Sequence, residues 1–199
     1  MRLSALSSKI TRALGCAARD QRSGRIVAVI ECIVNQNARD RGAATYPAIN
    51  QALVRLCLQY DVGLLQIPCP EMRCLGLRRE RPAGVTLRAA LDSAAGHACC
   101  QEISRELADR LQDYSANGCQ VLAILGGNPA SPGCAIHHQG PPDGSLRLAD
   151  HSGVLMRALQ AELEQRALAI PFVAIRDYRP ELLRDDLASL ETLFQNRRR

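Results

Sequence analysis

Arg25-Ile26-Val27-Ala28-Val29-Ile30-Glu31-Cys32 is the stretch that decides the fold. It is a continuous run of β-formers without alternation of apolar and polar residues, the pattern of a strand buried on both faces of a parallel sheet. Three more runs follow, at Val62 to Ile67, Gln120 to Leu125 and Pro171 to Ile175. Helical patterns lie between and after them. One runs from about Pro47 to Tyr60, with Ile49, Leu53, Leu56 and Cys57 on one side. Another covers Leu87 to Ser115, reading as two helices broken near Gly96, with Asn117-Gly118 as its stop. Val154 to Leu168 and Pro180 to Phe194 complete the set. Strands alternating with helices predict an α/β fold in three layers, a mostly parallel four-stranded sheet with helices on both faces. The expected strand order is the flavodoxin-like 2-1-3-4.

The chain has 199 residues, enough for one well-buried core and short for two. Residues 25–199 read as a single α/β domain. Residues 1–24 read as a basic N-terminal extension with Leu3, Leu6, Ile10 and Leu14 at helical spacing; a transit-like peptide is the alternative. Apolar residues make up 47%, yet no apolar run reaches bilayer length. The formal charge of +5 comes from arginine, since Lys9 is the sole lysine. With no Trp and only two Phe there is no stacking platform for a nucleic-acid polymer. The clusters Arg78-Arg79-Glu80-Arg81 and Arg197-Arg198-Arg199 read as solvated surface, and residues from Gly140 to Gly144 as an exposed loop.

Nine cysteines are many for this length, and the number is odd. A domain of this size is not a small disulfide scaffold, so reduced thiols in a cytoplasmic setting are expected, some of them holding a metal or cluster. Paired C-x-x-C knuckles are missing, so any site is assembled from distant segments. Pro68-Cys69-Pro70-Glu71 forms a stiff corner after the second strand, because each proline fixes its own φ and restricts the residue before it. Cys32 ends the first strand, and Cys134 lies in Gly126-Gly127-Asn128-Pro129-Ala130-Ser131-Pro132-Gly133-Cys134 after the third. The topology therefore places Cys32, Cys69 and Cys134 at the carboxyl edge of one sheet, where open α/β sheets bind ligands. Three soft thiolates suit an iron–sulfur cluster, zinc or copper(I), with one coordination position open. Glu71 is the candidate proton shuttle beside them, and Ser131 a hydrogen-bond donor or second acid/base group. Cys57 and Cys119 read as core thiols. Cys74 is the nearest spare ligand, while Cys99 and Cys100, adjacent on a helix, point in different directions. His137 and His138 lie close enough in sequence to Cys134 to reach the pocket.

Taken together, Cys32 after a strand, Cys69-Pro70-Glu71 and Ser131-Pro132-Gly133-Cys134 resemble the TudS-type thiouracil desulfidases, over roughly Ile26 to Cys134. The resemblance implies a [4Fe-4S] cluster held by Cys32, Cys69 and Cys134 with its fourth iron free. It implies a small thiolated molecule as substrate, whose thiocarbonyl becomes a carbonyl with release of hydrogen sulfide and no net redox change. It also implies that Glu71 and Ser131 move protons. Two motifs depart from the family. Its Cys-Leu-x-Gly is here Cys32-Ile33-Val34-Asn35, and its Ser-Pro-Ser-Cys-Gly is here Ser131-Pro132-Gly133-Cys134-Ala135. The chain thus reads as a related subgroup, with Asn35 and Asn37 as candidate substrate-binding or supporting amides. Two other readings stay open: a metal- or cluster-binding sensor or sulfur-trafficking module without catalysis, and an α/β domain that has lost its cofactor.

Overall fold

The structure, a computed structural model, describes residues 20–139 and 147–196. The expected N-terminal helix, most of the exposed loop and the arginine tail lie outside the described residues. Four strands, β1 (Arg25–Ile30), β2 (Gly63–Ile67), β3 (Gln120–Gly126) and β4 (Phe172–Ala174), form one sheet in the order β2-β1-β3-β4. Every pairing is parallel. The helices are α1 (Glu31–Val34), α2 (Gln51–Gln59), α3 (Pro70–Leu75), α4 (Leu87–Leu91), α5 (Ala94–Ala116), α6 (Val154–Gln165) and α7 (Pro180–Asn196). A 3₁₀ turn, Gln36–Ala38, follows α1. None of these helices is long and apolar enough to cross a membrane.

Burial follows each strand's place in the sheet. Val27, Ala28, Val29 and Ile30 of the central β1 are completely buried, as the unalternating run requires. In β2, Leu65 and Ile67 are buried whereas Gln66 and Leu64 are exposed. The apolar run from Val62 to Ile67 is thus not buried throughout: β2 is an edge strand, covered on one face. Right-handed crossovers put α2 on one side of the sheet and α5 and α6 on the other. The packing agrees, since α5 lies along α6 and α2 meets α7. Tyr60 joins that second pair, its ring 6.0 Å from that of Phe194 and its hydroxyl donating to Glu191.

Several helix boundaries move for local reasons. Helix α2 begins only at Gln51, because the buried Asn50 side chain caps it by accepting from the Leu53 N–H. The break between α4 and α5 falls at Asp92-Ser93, with Ser93 as the cap of α5. Gly96, where the break was expected, is inside α5; a Cβ there would lie 2.4 Å from the Leu91 carbonyl, so glycine serves the close approach of α4. Cys74 of α3 and Cys99 of α5 form a disulfide, their Cα atoms 5.9 Å apart. This corrects the expectation of all-reduced thiols and removes Cys74 as a spare ligand. Cys57 and Cys100 are core thiols, and Cys119 is half-buried.

Burial pushes the Cys57 thiol from 9.0 up to about 12. The folded chain therefore keeps this proton while the unfolded chain releases it from about pH 9, so the stability it contributes is full below pH 9 and lost as pH rises toward 12. The unfolding free energy from urea titration should fall between pH 8.5 and 10.5, by about 1–2 kcal/mol from this thiol. Cys57→Ala should flatten that fall; an unchanged slope would refute the assignment.

Candidate metal centre

The strands end nearly flush. Ile30 pairs with Ile67, Val29 with Leu125, and Gly126 with Ala174. The segments that leave these ends meet above the sheet edge. Their residues line a pocket of about 290 Å³ that includes Cys32, Cys69, Cys134, Glu71 and Ser131. This volume lies at the small end of the range for ligand pockets, about 300–1,000 Å³.

Each cysteine is placed by its own local structure. Cys32 does not end the strand; the chain turns at Glu31 into one turn of helix, and Cys32 lies in that turn. Gln36 fixes the turn by donating to the Cys32 carbonyl at 2.7 Å, while its own carbonyl oxygen accepts from the backbone N–H groups of Thr45 and Tyr46. Cys69 is the N-cap of α3, with Pro70 at the first helical position, where its missing N–H costs nothing. The proline corner is thus extended only as far as Cys69. Glu31, buried, ties the two segments together: its carboxylate accepts from the Cys69 N–H at 2.8 Å. Cys134 sits in a loop that folds back on β3, with Gly127 donating to the Cys134 carbonyl.

Two glycines make that loop fit. A Cβ on Gly127 would approach Cys134 Sγ to 2.6 Å, and a Cβ on Gly133 would approach the Pro70 ring to 2.4 Å. Gly133 therefore presses the Cys134 loop against the Cys69-Pro70-Glu71 corner. Ser131 bridges the same two segments. Its hydroxyl lies 2.9 Å from Glu71 Oε1 as donor, accepts from the Cys134 N–H, and stands 3.2 Å from Cys134 Sγ. It has one proton, so it donates either to Glu71 or to the sulfur at any moment.

Burial raises all three thiols. Cys32 is pushed up to about 11, chiefly by desolvation, with the Arg39 charge opposing it and Cys69 adding to it. Cys69 is raised for the same leading reason. Cys134 is raised well above its ordinary value, by desolvation first and then by the charge of Cys32. Each thiolate thus resists forming next to the others unless positive charge is added between them. A bound metal supplies that charge and displaces the protons.

The donor set fits a cluster with one open position: among the described residues, three cysteines line the pocket and no fourth does. Among the described residues, no three His, Cys, Asp or Glu side chains are drawn together as around one metal ion. A cubane is larger than an ion, so its ligands stand further apart.

Other expectations are corrected. Asn35 and Asn37 are exposed and do not line the pocket; the Asn35 side chain accepts from the Asn37 N–H and caps the 3₁₀ turn. His137 bonds to the Pro129 carbonyl and stacks near His151, and neither it nor His138 lines the pocket. Conversely, two arginines line the pocket: Arg79, which was expected on the surface, and Arg39, which the sequence did not single out. Arg39 forms a two-point pair with the buried Asp177, at 2.7 and 2.6 Å. Arg79 is buried against Cys69. The spacing of Asp177, three residues beyond β4, is the one signal that marks it as another residue of the carboxyl edge.

Comparison with known proteins gives one relative, an uncharacterized protein of Methanocaldococcus jannaschii, MJ0003. It is 28% identical over 100 residues, which is 50% of this chain and 62% of the relative. The chain thus matches less than two thirds of that protein's length. No protein-family profile matches, and no solved structure does.

Gly133→Ala tests the packing. The added methyl collides with Pro70, so the variant should lose about 1–3 kcal/mol of stability by overpacking. Pro70→Ala in the same background should restore part of it. A Gly133→Ala protein as stable as wild type in urea titrations would contradict the close approach.

Proposed function

We propose that this chain is a [4Fe-4S]-dependent desulfidase that removes sulfur, as sulfide, from a small thiocarbonyl compound of the thiouracil type. One observation carries the reading: Cys32, Cys69 and Cys134, each from the segment that follows a different strand, line one pocket together with the hydrogen-bonded pair Glu71 and Ser131. Cys32, Cys69 and Cys134 would hold the cluster, which when bound supplies an open iron as a Lewis acid for the substrate's sulfur. The overall change is C=S plus water to C=O plus hydrogen sulfide. Oxygen replaces sulfur on carbon, two protons pass from water to sulfur, and no electrons are exchanged.

The chain's own groups suit the proton steps. Glu71 is largely shielded, its side chain 12% exposed, so a water beside it loses most competing bulk contacts. Its carboxylate takes a proton from that water as oxygen adds to the carbon. Ser131 stands between Glu71 Oε1 and Cys134 Sγ, and passes a proton from the carboxylate toward the sulfur side of the pocket. The small pocket and its apolar residues Ala38, Ala43, Ala130, Pro132 and Leu87 favour a small ligand. The reading places the enzyme in the cytoplasm, without membrane or nucleic-acid partners.

Anaerobic purification with iron and sulfide quantitation tests it. Wild type should hold close to four irons and four sulfides per chain, as a cubane requires. Cys32→Ala, Cys69→Ala and Cys134→Ala should each lose the cluster. Glu71→Gln should keep it and lose sulfide release from 2-thiouracil by about 10²–10⁴-fold. Zinc alone would favour a binding module, and a Cys69→Ala protein with a full cluster would remove the central claim.

A further inference from the structure

Among the described residues Arg79 is the largest side chain that is fully buried, at 1% exposure, although its neighbours Arg78, Glu80 and Arg81 are exposed. Its backbone lies in the left-handed region, at φ +50°, which a non-glycine side chain enters at a cost. Nη1 donates to the Leu77 carbonyl at 2.8 Å and Nη2 to the Ala38 carbonyl at 2.5 Å. Those carbonyls need donors and do not need a charge. Nε has no hydrogen-bond acceptor, although it is buried. Its nearest carboxylate, Glu71 Oε2, is 3.8 Å away, an open ion pair. Nη2 also points at Cys69 Sγ, 3.6 Å away. Arg39, the other guanidinium of the pocket, is paired with Asp177 at hydrogen-bond distance and also faces the Cys32 thiol. A strained backbone and an undermatched buried cation are both costly to a fold. At Arg79 the two coincide, beside one of the three thiols.

We propose that Arg79 is a positioning residue for the cluster, donating an N–H···S hydrogen bond to the Cys69 sulfur and placing a fixed positive charge beside it. The inference rests on the cluster reading given above. Three thiolates add negative charge to a pocket that already holds Glu71, and Arg79 offsets it from within the wall. Hydrogen bonds and charge at a ligand sulfur draw electron density from the metal and raise its reduction potential. The same withdrawal makes an open iron a stronger acceptor for a substrate's sulfur.

The experiment compares wild type, Arg79→Gln and Arg79→Lys, each reconstituted anaerobically with iron and sulfide and titrated spectroelectrochemically. Gln retains amide donors for the neighbouring carbonyls and removes the charge. Lys retains the charge and loses the fork. The potential should fall in Arg79→Gln and fall by less in Arg79→Lys, at iron contents matched to wild type. Thermal melts of the apo proteins report folding separately; a purely structural arginine would lower the melt and leave the potential in place. Arg79→Gln with the wild-type potential overturns the proposal. If Arg79→Gln does not fold, Arg79→Lys decides, and an unchanged potential there overturns it as well. Wild type that binds no iron and sulfide sinks the desulfidase reading and this inference together; a cluster-bearing wild type with unmoved variants sinks this inference alone.

Discussion

The parallel pairing of β1 with both β2 and β3 is the constraint on which everything else depends. Parallel neighbours share a direction, so their carboxyl ends share an edge. Here the register leaves Ile30 beside Ile67, and Val29 beside Leu125, with no strand overshooting its neighbour. Each strand then hands its following residues to the same space. A thiol two residues after β1, another two after β2, and a third on the loop that doubles back on β3 meet without any long-range motif. An antiparallel sheet with the same strands would send β2 the other way and put Cys69 at the opposite edge from Cys32.

Once the segments meet, they are fastened by hydrogen bonds, an ion pair and close packing between the loops. Glu31 joins the Cys32 turn to Cys69, and Gln36 and the Arg39–Asp177 pair anchor the loop beyond that turn to the chain after β4. Both connections are buried, so their loss would leave an uncompensated polar group and cost more than a surface bond. Ser131 and Gly133 fasten the third segment to the second, one by hydrogen bonding to Glu71 and the other by contact with Pro70. The three thiols gain a rigid frame in this way, and that frame leaves them close enough for each to feel the charge of another.

Much of this was legible in the order of residue types. The unalternating run before Cys32 implied a doubly covered central strand, and the strand–helix alternation implied the parallel sheet and its order. From those two, the convergence of Cys32, Cys69 and Cys134 follows. What stayed illegible depended on side-chain reach. A buried Arg79 and an exposed Arg78 are the same letter in the same cluster; only the turn after α3, with Arg79 held at positive φ, separates them. Asn35 and Asn37 looked like pocket amides by their closeness to Cys32, yet a one-turn helix and a 3₁₀ turn rotate them outward and bring Gln36 in. Likewise, Cys74 and Cys99 are 25 positions apart, and nothing in that spacing shows that α3 lies across α5.

The two motif departures have a common physical sense. Where the resembled family has glycine, Asn35 stands at φ −153°, an extended conformation open to any residue, and its side chain caps the next turn. Glycine is therefore not demanded by the backbone here, and the change adds a hydrogen bond. At the third loop the exchange runs the other way. Gly133 replaces a serine, and the Pro70 ring occupies the space its side chain would take. Ala135 replaces a glycine and is completely buried where the loop pairs with Gly127. None of these changes touches a sulfur, Glu71 or Ser131. Nor does any of the three positions line the pocket. The departures therefore act on the packing of the turns behind the pocket, and Cys32, Cys69, Cys134, Glu71 and Ser131 line it together all the same.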